Sequence, residues 1–433
     1  MKQPFTITEY GSFVCGKSVA GYTTLPERTF EALENFILSS QDKDTEPLEL
    51  MGLSARKGIG KIITAKNYVG IITMKDGTSI EILPKIHSAS ANQDIARTKK
   101  LLLDMLKTLH SAPYKTMQTS NLDIAKMNIF EIFVRMFIDE VFFIVKRGLK
   151  CSYGTIEENT TYFKGKMKFS QHIKLNHSHK EHNYVEYDVF TADRPENRLL
   201  KSTLMYLYKQ SRSSKNRSDI KVLLTAFGDV PPSTDYKTDF AKHIPDRHIK
   251  DYTTALLWCR IFLQGKSFTS YSGSEVAIAL LFPMETLFES YIAALTRKAL
   301  VGSGYTLSTQ DERHYLFDKP QNQFRLRPDI VITNRTDNIF IMDTKWKILS
   351  SQKHNYGISQ ADMYQMYAYQ KKYNAKNITL LYPATENTSD NGITFSSEDG
   401  VTVYVKFVDM FDAPKSIKGI MEDIVLKNSD TNE

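Results

Sequence analysis

At 433 residues, 41% of them hydrophobic and 24% charged, the chain is long enough for two or three cores, and its composition excludes a disordered protein. No apolar run is long enough to cross a bilayer, and Met1-Lys2-Gln3-Pro4-Phe5 lacks the apolar stretch of a secretory signal, so a cytoplasmic protein with no membrane partner is expected. The net charge of +7 and pI near 8.9 suit a polyanionic partner without establishing one.

In chain order, Gly11 to Ser18 first satisfies the phosphate-loop pattern G-x-x-x-x-G-K-[ST], which needs a buried strand before it and a helix after it. The sequel, Val19 to Pro26, contains Gly21 and Pro26 and starts a helix poorly, so no nucleotide site is expected around Lys17. Cys15, Cys151 and Cys259 form no CxxC pair and read as buried free thiols. Val69 to Met74 and Ser79 to Leu83 alternate around Lys75-Asp76-Gly77-Thr78, a hairpin signal that predicts an N-terminal region rich in antiparallel strands.

Apolar spacing predicts helices over Asp94 to Leu109 and Ile124 to Val145, the second stopped at Gly148 after Lys146 and Arg147. Tyr153 to Lys174 alternates like strand, Glu196 to Gln210 reads as a helix, and the basic run Ser211 to Lys221 reads as a surface loop. His177, His179 and His182 lie among Lys174, Lys180 and Asn183, which favours a solvated loop over a metal site. Pro231-Pro232-Ser233-Thr234 and the stretch Ile244 to Asp251 mark breaks, giving an N-terminal β-rich domain (1–120), a helical and β middle region (121–248) and a C-terminal domain (249–433). A fragment beginning near Ile249 is accordingly expected to fold alone.

Beyond that boundary Pro283 opens a helix through Leu295, followed by strands at Tyr305 to Ser308, Phe324 to Thr333 and Asn338 to Lys345. A helix from Gln360 to Tyr373 and strands at Ile378 to Tyr382 and Val401 to Val408 complete an α-β-β-β-α-β order. The fold class is therefore α+β to α/β, with a C-terminal mixed sheet flanked by helices.

Phosphodiester hydrolysis needs a nucleophilic water and a cation where negative charge accumulates, both of which Mg²⁺ supplies when oxygen ligands hold it. Asp329 follows Arg327-Pro328 on one predicted strand, and Asp343 ends the apolar run Ile339 to Met342 on the next. Strand periodicity puts Asp343 and Lys345 on one face, with Met342, Thr344 and Trp346 on the other. Asp329, Asp343 and the Thr344 carbonyl can hold Mg²⁺ there, while Lys345 orients the attacking water and favours its deprotonation. Glu289 on the preceding helix could reach the same ion, with Glu285 one turn earlier as its rival. A plain surface salt bridge is the competing reading of Asp-x-Lys.

Arg327-Pro328-Asp329-Ile330 followed by Ile341 to Lys347 resembles the PD-(D/E)XK motif as it occurs in the McrC family, the nuclease subunits of McrBC 5-methylcytosine restriction systems. Phe282 to Tyr291 resembles that family's first core helix, and Asp362 to Tyr369 its Gln-x-x-x-Tyr helix. Ile82-Leu83-Pro84-Lys85, Arg147-Gly148-Leu149 and Asn197-Arg198 also fall where family signatures are expected.

The resemblance implies a restriction-endonuclease-like fold in residues 249–433 and a Mg²⁺-dependent DNA endonuclease without its own nucleotide site. It also implies work with an McrB-like AAA+ GTPase hexamer, onto which the N-terminal region docks, and pairing of nuclease subunits for a double-strand break. Asp329, Asp343 and Lys345 carry over as site residues, with Glu289, Gln365 and Tyr369 as supports; helix packing remains the other reading of Gln365 and Tyr369. A non-catalytic activator of the motor, and a repair or recombination nuclease of the same fold, remain open alternatives.

Overall fold

The computed structural model describes residues 4–38, 50–74, 76, 78–86, 95–109, 128–242, 251–264, 276–334, 339–385 and 392–423. Parts of the predicted segments lie outside these residues: Lys75 and Gly77, Asp94, residues 124–127, the break at 244–250, Asn338 and the tail Lys427 to Glu433. Two compact units emerge, Phe130–Ser270 and a larger one made of Lys2–Ile129 with Tyr271–Glu433. This differs from the three-part division read from the sequence, because a strand after residue 270 belongs to the N-terminal sheet.

That sheet of the larger unit has the order Phe5–Thr8, Ser79–Leu83, Tyr68–Met74, Val276–Pro283. The expected hairpin is present, with Ile72 opposite Ile80 and the turn held by Asp76, whose Oδ1 accepts the Thr78 N–H at 2.8 Å. Val276–Pro283 runs antiparallel to Tyr68–Met74 from Val276 opposite Met74 to Pro283 opposite Tyr68. Its residues are uniformly apolar, a pattern that periodicity alone does not assign to strand or helix.

A second four-stranded sheet contains Ser12–Cys15 beside Gly60–Ala65 and Thr23–Leu25. The helix Glu27–Leu38 buries Phe30, Leu33, Phe36 and Ile37 in one core with Phe13, Ile63, Ile72, Ile80, Ile82, Ala279 and Leu281. The phosphate-loop pattern falls partly inside Ser12–Cys15, and the element that follows Ser18 is a strand rather than a helix.

The catalytic candidates sit on a six-stranded mixed sheet ordered Thr306–Thr309, Ile330–Thr333, Ile339–Thr344, Asn377–Pro383, Thr402–Val408, Ile393–Ser396. Ile339–Thr344 pairs antiparallel with Ile330–Thr333 and parallel with Asn377–Pro383. A parallel step needs a crossover, which the helix Gln360–Tyr373 provides. Its Met366, Tyr369 and Tyr373 pack on Val331, Ile341, Ile378, Leu380, Val403 and Val405.

Met284–Ala299 packs beside Ile339–Thr344, and Ala413–Met421 lies against both that helix and Thr402–Val408. The single strand expected over Phe324 to Thr333 is split into Gln323–Arg325 and Ile330–Thr333, since Pro328 between them offers no N–H to a ladder.

In the unit Phe130–Ser270, a three-stranded sheet is joined by helices that include Ile129–Arg147, Pro195–Gln210 and Thr253–Gln264. Phe133, Phe137, Trp258 and Phe262 make its aromatic core. Two expectations are corrected here. The basic run read as a loop is mostly the helix Ser214–Ala226. Its start is fixed by the Ser213 hydroxyl, which accepts the Asn216 N–H, and by buried Glu131, which accepts from Ser211 Oγ, the Arg212 N–H and Asn216 Nδ2. Tyr153 to Lys174 is strand only in part, the helix Phe169–Asn176 closing it. His177 and His179 follow that helix, exposed, with His179 beside Glu181. All three cysteines are free, Cys259 buried and the other two half-buried.

Among the described residues no helix is long and apolar enough to cross a membrane.

Candidate active site

The site is built where Ile330–Thr333 begins and its antiparallel neighbour Ile339–Thr344 ends. Ile330 faces Met342 in the antiparallel ladder, and just past that pair the Thr344 N–H and hydroxyl both donate to Asp329 Oδ2 at 2.8 Å. In an extended strand the N–H and C=O of one residue leave by the same edge, so the Thr344 carbonyl also faces the Asp329 side. Asp343, 1% exposed, receives the Lys345 ammonium on Oδ2. The structure thus places the two residues side by side, as expected from a two-residue strand repeat.

The electrostatics are those of negative charge crowded into a partly dry place. Burial raises the Asp329 carboxyl above its ordinary value against the hydrogen bonds from Thr344, which pull it down. Burial, then the Asp329 charge, pushes Asp343 up to about 7 in spite of Lys345. Burial pulls the Lys345 ammonium down, but Asp343, Asp329 and Asp362 together outweigh it and leave the lysine above its usual range.

The structure separates Glu289 from Glu285. Glu289 is half-buried and feels both Asp329 and Lys345, with its carboxyl raised mainly by burial. Glu285 is exposed, and its field falls on Tyr10 instead. Gln365 donates from Nε2 to the Tyr369 hydroxyl at 2.6 Å, and Tyr369 is buried in the core cluster, its phenol raised by burial and by the Asp343 charge. Tyr369 packs the sheet within reach of the Asp343 charge, and Gln365 is tied to the site only through the Tyr369 hydroxyl.

Two residues at the site were not singled out from the sequence. Gln310 adopts a left-handed backbone (φ 50°) just after Thr306–Thr309, its N–H donating to the Asp329 carbonyl at 3.0 Å. Its side-chain amide bridges Glu289 Oε1 and Asp329 Oδ1. Asp362, in the first turn of Gln360–Tyr373, acts electrostatically on Asp343 and Lys345. Gln310 carries no motif, and Asp362 stands in the sequence only as the first residue of the Asp362 to Tyr369 signature.

The mixed sheet and its flanking helices make an α+β fold consistent with a PD-(D/E)XK-like sheet. The chain belongs to the McrBC 5-methylcytosine restriction system component family, whose model matches residues 63–383. It shares its fold with a chain of the refined half-complex from the tetradecameric assembly of Thermococcus gammatolerans McrB AAA+ hexamers with bound McrC. That match is 18% identical with a TM-score of 0.70 and covers 98% of this chain and 100% of that one. A chain of the cryo-EM structure of the Thermococcus gammatolerans McrBC complex is 17% identical with a TM-score of 0.48, covering 69% of this chain and 88% of that one. No curated protein matches.

Proposed function

We propose that the chain is the Mg²⁺-dependent DNA endonuclease subunit of a GTP-dependent, McrBC-like restriction complex, bound to an McrB-like AAA+ GTPase hexamer and stimulating it. The observation that carries this reading is the pair of acids at the sheet end, Asp343 buried beside Lys345 and Asp329 fixed by Thr344.

The donor set fits Mg²⁺. Among the described residues no group of three or more His, Cys, Asp or Glu side chains could hold a metal ion, and Glu289 is held beside Asp329 by the Gln310 amide. Two carboxylates and a carbonyl leave the remaining positions to waters and substrate phosphate, the usual manner of binding this ion. When bound, Mg²⁺ supplies positive charge at the scissile phosphate and acidifies a water. Asp329, Asp343 and the Thr344 carbonyl would hold it, at a place where burial disfavours the bare carboxylate charges. Lys345, cationic at neutral pH, orients the attacking water and stabilises charge on the phosphoryl oxygens. A double-strand break needs two such sites, hence paired nuclease subunits.

The test is incubation of the purified chain with DNA and Mg²⁺, with and without the AAA+ partner. Cleavage is expected from the wild type, and Asp343→Asn should lose at least about a hundredfold in rate while keeping its fold and its partner. A folded Asp343→Asn that cuts near the wild-type rate refutes the site. A wild type that stimulates GTP hydrolysis yet cuts no DNA identifies an activator instead.

A further inference from the structure

Glu9 is 1% exposed, and its Oε1 accepts two hydrogen bonds: from the Lys85 N–H at 2.9 Å and from the Trp346 indole N–H at 2.7 Å. Its Oε2 is buried with no hydrogen-bond partner among the described residues. The backbone on either side is anchored, the Glu9 N–H donating to the Leu83 carbonyl and the Tyr10 N–H to the Ala65 carbonyl. Glu9 is therefore a fixed point of the N-terminal sheet, reaching a residue 337 positions away.

Trp346 immediately follows Lys345, and its ring meets Phe288, the neighbour of Glu289, edge-on at 5.3 Å. The strand pairing gives out here. The Lys345 N–H still donates to the Leu381 carbonyl at 2.9 Å, but the next donor along that neighbour belongs to Pro383, which has none. The Lys345 carbonyl turns instead to the Lys347 N–H at 2.9 Å.

Beside the indole lies a cavity of about 260 Å³ bordered by Glu9, Tyr10, Lys85, Trp346, Lys347 and Pro383. Packing restrains a ring only where atoms touch it, so a ring with a cavity on one side has room to swing. On the Glu9 side the indole is tied by its hydrogen bond, and Phe288 meets the ring edge-on.

We propose that Glu9 is a positioning residue for Lys345: through Trp346 it fixes the chain leaving the catalytic strand, so that the N-terminal sheet completes the nuclease site. This rests on the nuclease reading above. The orientation of a reacting group is worth more than its distance from the chemistry suggests, a misplacement of about 1 Å costing up to about a hundredfold in rate.

The experiment compares Glu9→Ala, Glu9→Gln, Trp346→Phe and the Glu9→Ala/Trp346→Phe double variant in DNA cleavage by the full chain with its partner. Glu9→Ala should lower kcat about tenfold, leaving KM for DNA and the Mg²⁺ concentration for half-maximal rate within about twofold. Glu9→Gln keeps a carbonyl acceptor and should stay within about threefold of wild type. Trp346→Phe keeps the ring and drops the donor; its loss should match that of Glu9→Ala and not deepen in the double variant. Acrylamide quenching of tryptophan emission should rise in Glu9→Ala, a signal from Trp346 because Trp258 is 0% exposed.

If the wild type cleaves and Glu9→Ala cleaves as fast, if Glu9→Gln is as slow as Glu9→Ala, or if the two single losses multiply, the positioning role is overturned while the nuclease reading stands. A wild type that cuts no DNA overturns the nuclease reading itself, and with it the role of Glu9.

Discussion

Glu9 also sets a pH dependence of its own. Burial raises its carboxyl from 4.5 to about 7, against the Lys85 and Trp346 hydrogen bonds that pull it down. Between those two values the folded chain holds a proton that the unfolded chain has released, so the contribution of this group is fully present below about pH 4.5 and lost as pH rises to about 7. The swing is on the order of 3 kcal/mol at most. Glu9→Gln cannot ionise, and denaturant unfolding followed from about pH 5 to pH 8 should show a shallower fall in stability than the wild type. Equal slopes in the two proteins would mean that Glu9 is not the buried acid of this window.

The residue scale also shows what a sequence carries. Asp343 and Lys345 share a face because a strand repeats every two residues, and the contact between them follows from that alone. Glu285 and Glu289 lie on one helical face a turn apart, so spacing could not separate them; the path of Thr306–Thr309 does, by delivering the Gln310 amide to Glu289. Gln310 reaches the site through a left-handed turn, a backbone event that leaves no pattern in side-chain polarity.

At the scale of elements, what was legible was whatever amphipathicity writes: the hairpin, the Gln360–Tyr373 helix and the strand bearing Asp343. Ser214–Ala226 was hidden because most of its first two turns is polar and exposed, as in a surface loop, and only Asn216 is committed to Glu131, with Ser213 as the cap.

Val276–Pro283 was hidden by its uniform apolarity, and its seat depends on one glycine. Gly70 has φ +138°, and a Cβ there would stand 2.0 Å from the Leu280 carbonyl oxygen. Gly70→Ala must push the two strands apart or abandon the backbone conformation, since neither atom belongs to a flexible side chain. We expect a loss of more than about 2 kcal/mol, where Gly→Ala at an unstrained position stabilises slightly. Chemical denaturation reads this directly, and a variant as stable as wild type would show that the close approach is not real. Gly148, with φ 86° and open space around it, ends the helix Ile129–Arg147 and should resist substitution for conformational reasons only.

At the scale of the whole molecule the larger unit is discontinuous in sequence, Lys2–Ile129 folding with Tyr271–Glu433. The fragment beginning near Ile249, which the sequence presents as self-sufficient, would carry Val276–Pro283 without Tyr68–Met74 beside it. Ala279 and Leu281 would lose Ile72, Ile80 and Ile82 from their core, and Trp346 would lose Glu9. An apolar strand with an unpaired edge is an aggregation template. The fragment 249–433 should therefore be insoluble, or melt without a cooperative transition, and co-expression with residues 2–129 should recover a soluble pair. Amide exchange decides where the weakness lies: in the isolated fragment, protection of Ile339–Thr344 should fall well below that in the full chain, since the strand bearing Asp343 packs on the helix that Val276–Pro283 leads into. A monomeric fragment with cooperative melting and full protection of that strand would mean that the catalytic sheet closes without the N-terminal elements, and that the shared sheet is a docking contact rather than part of the fold.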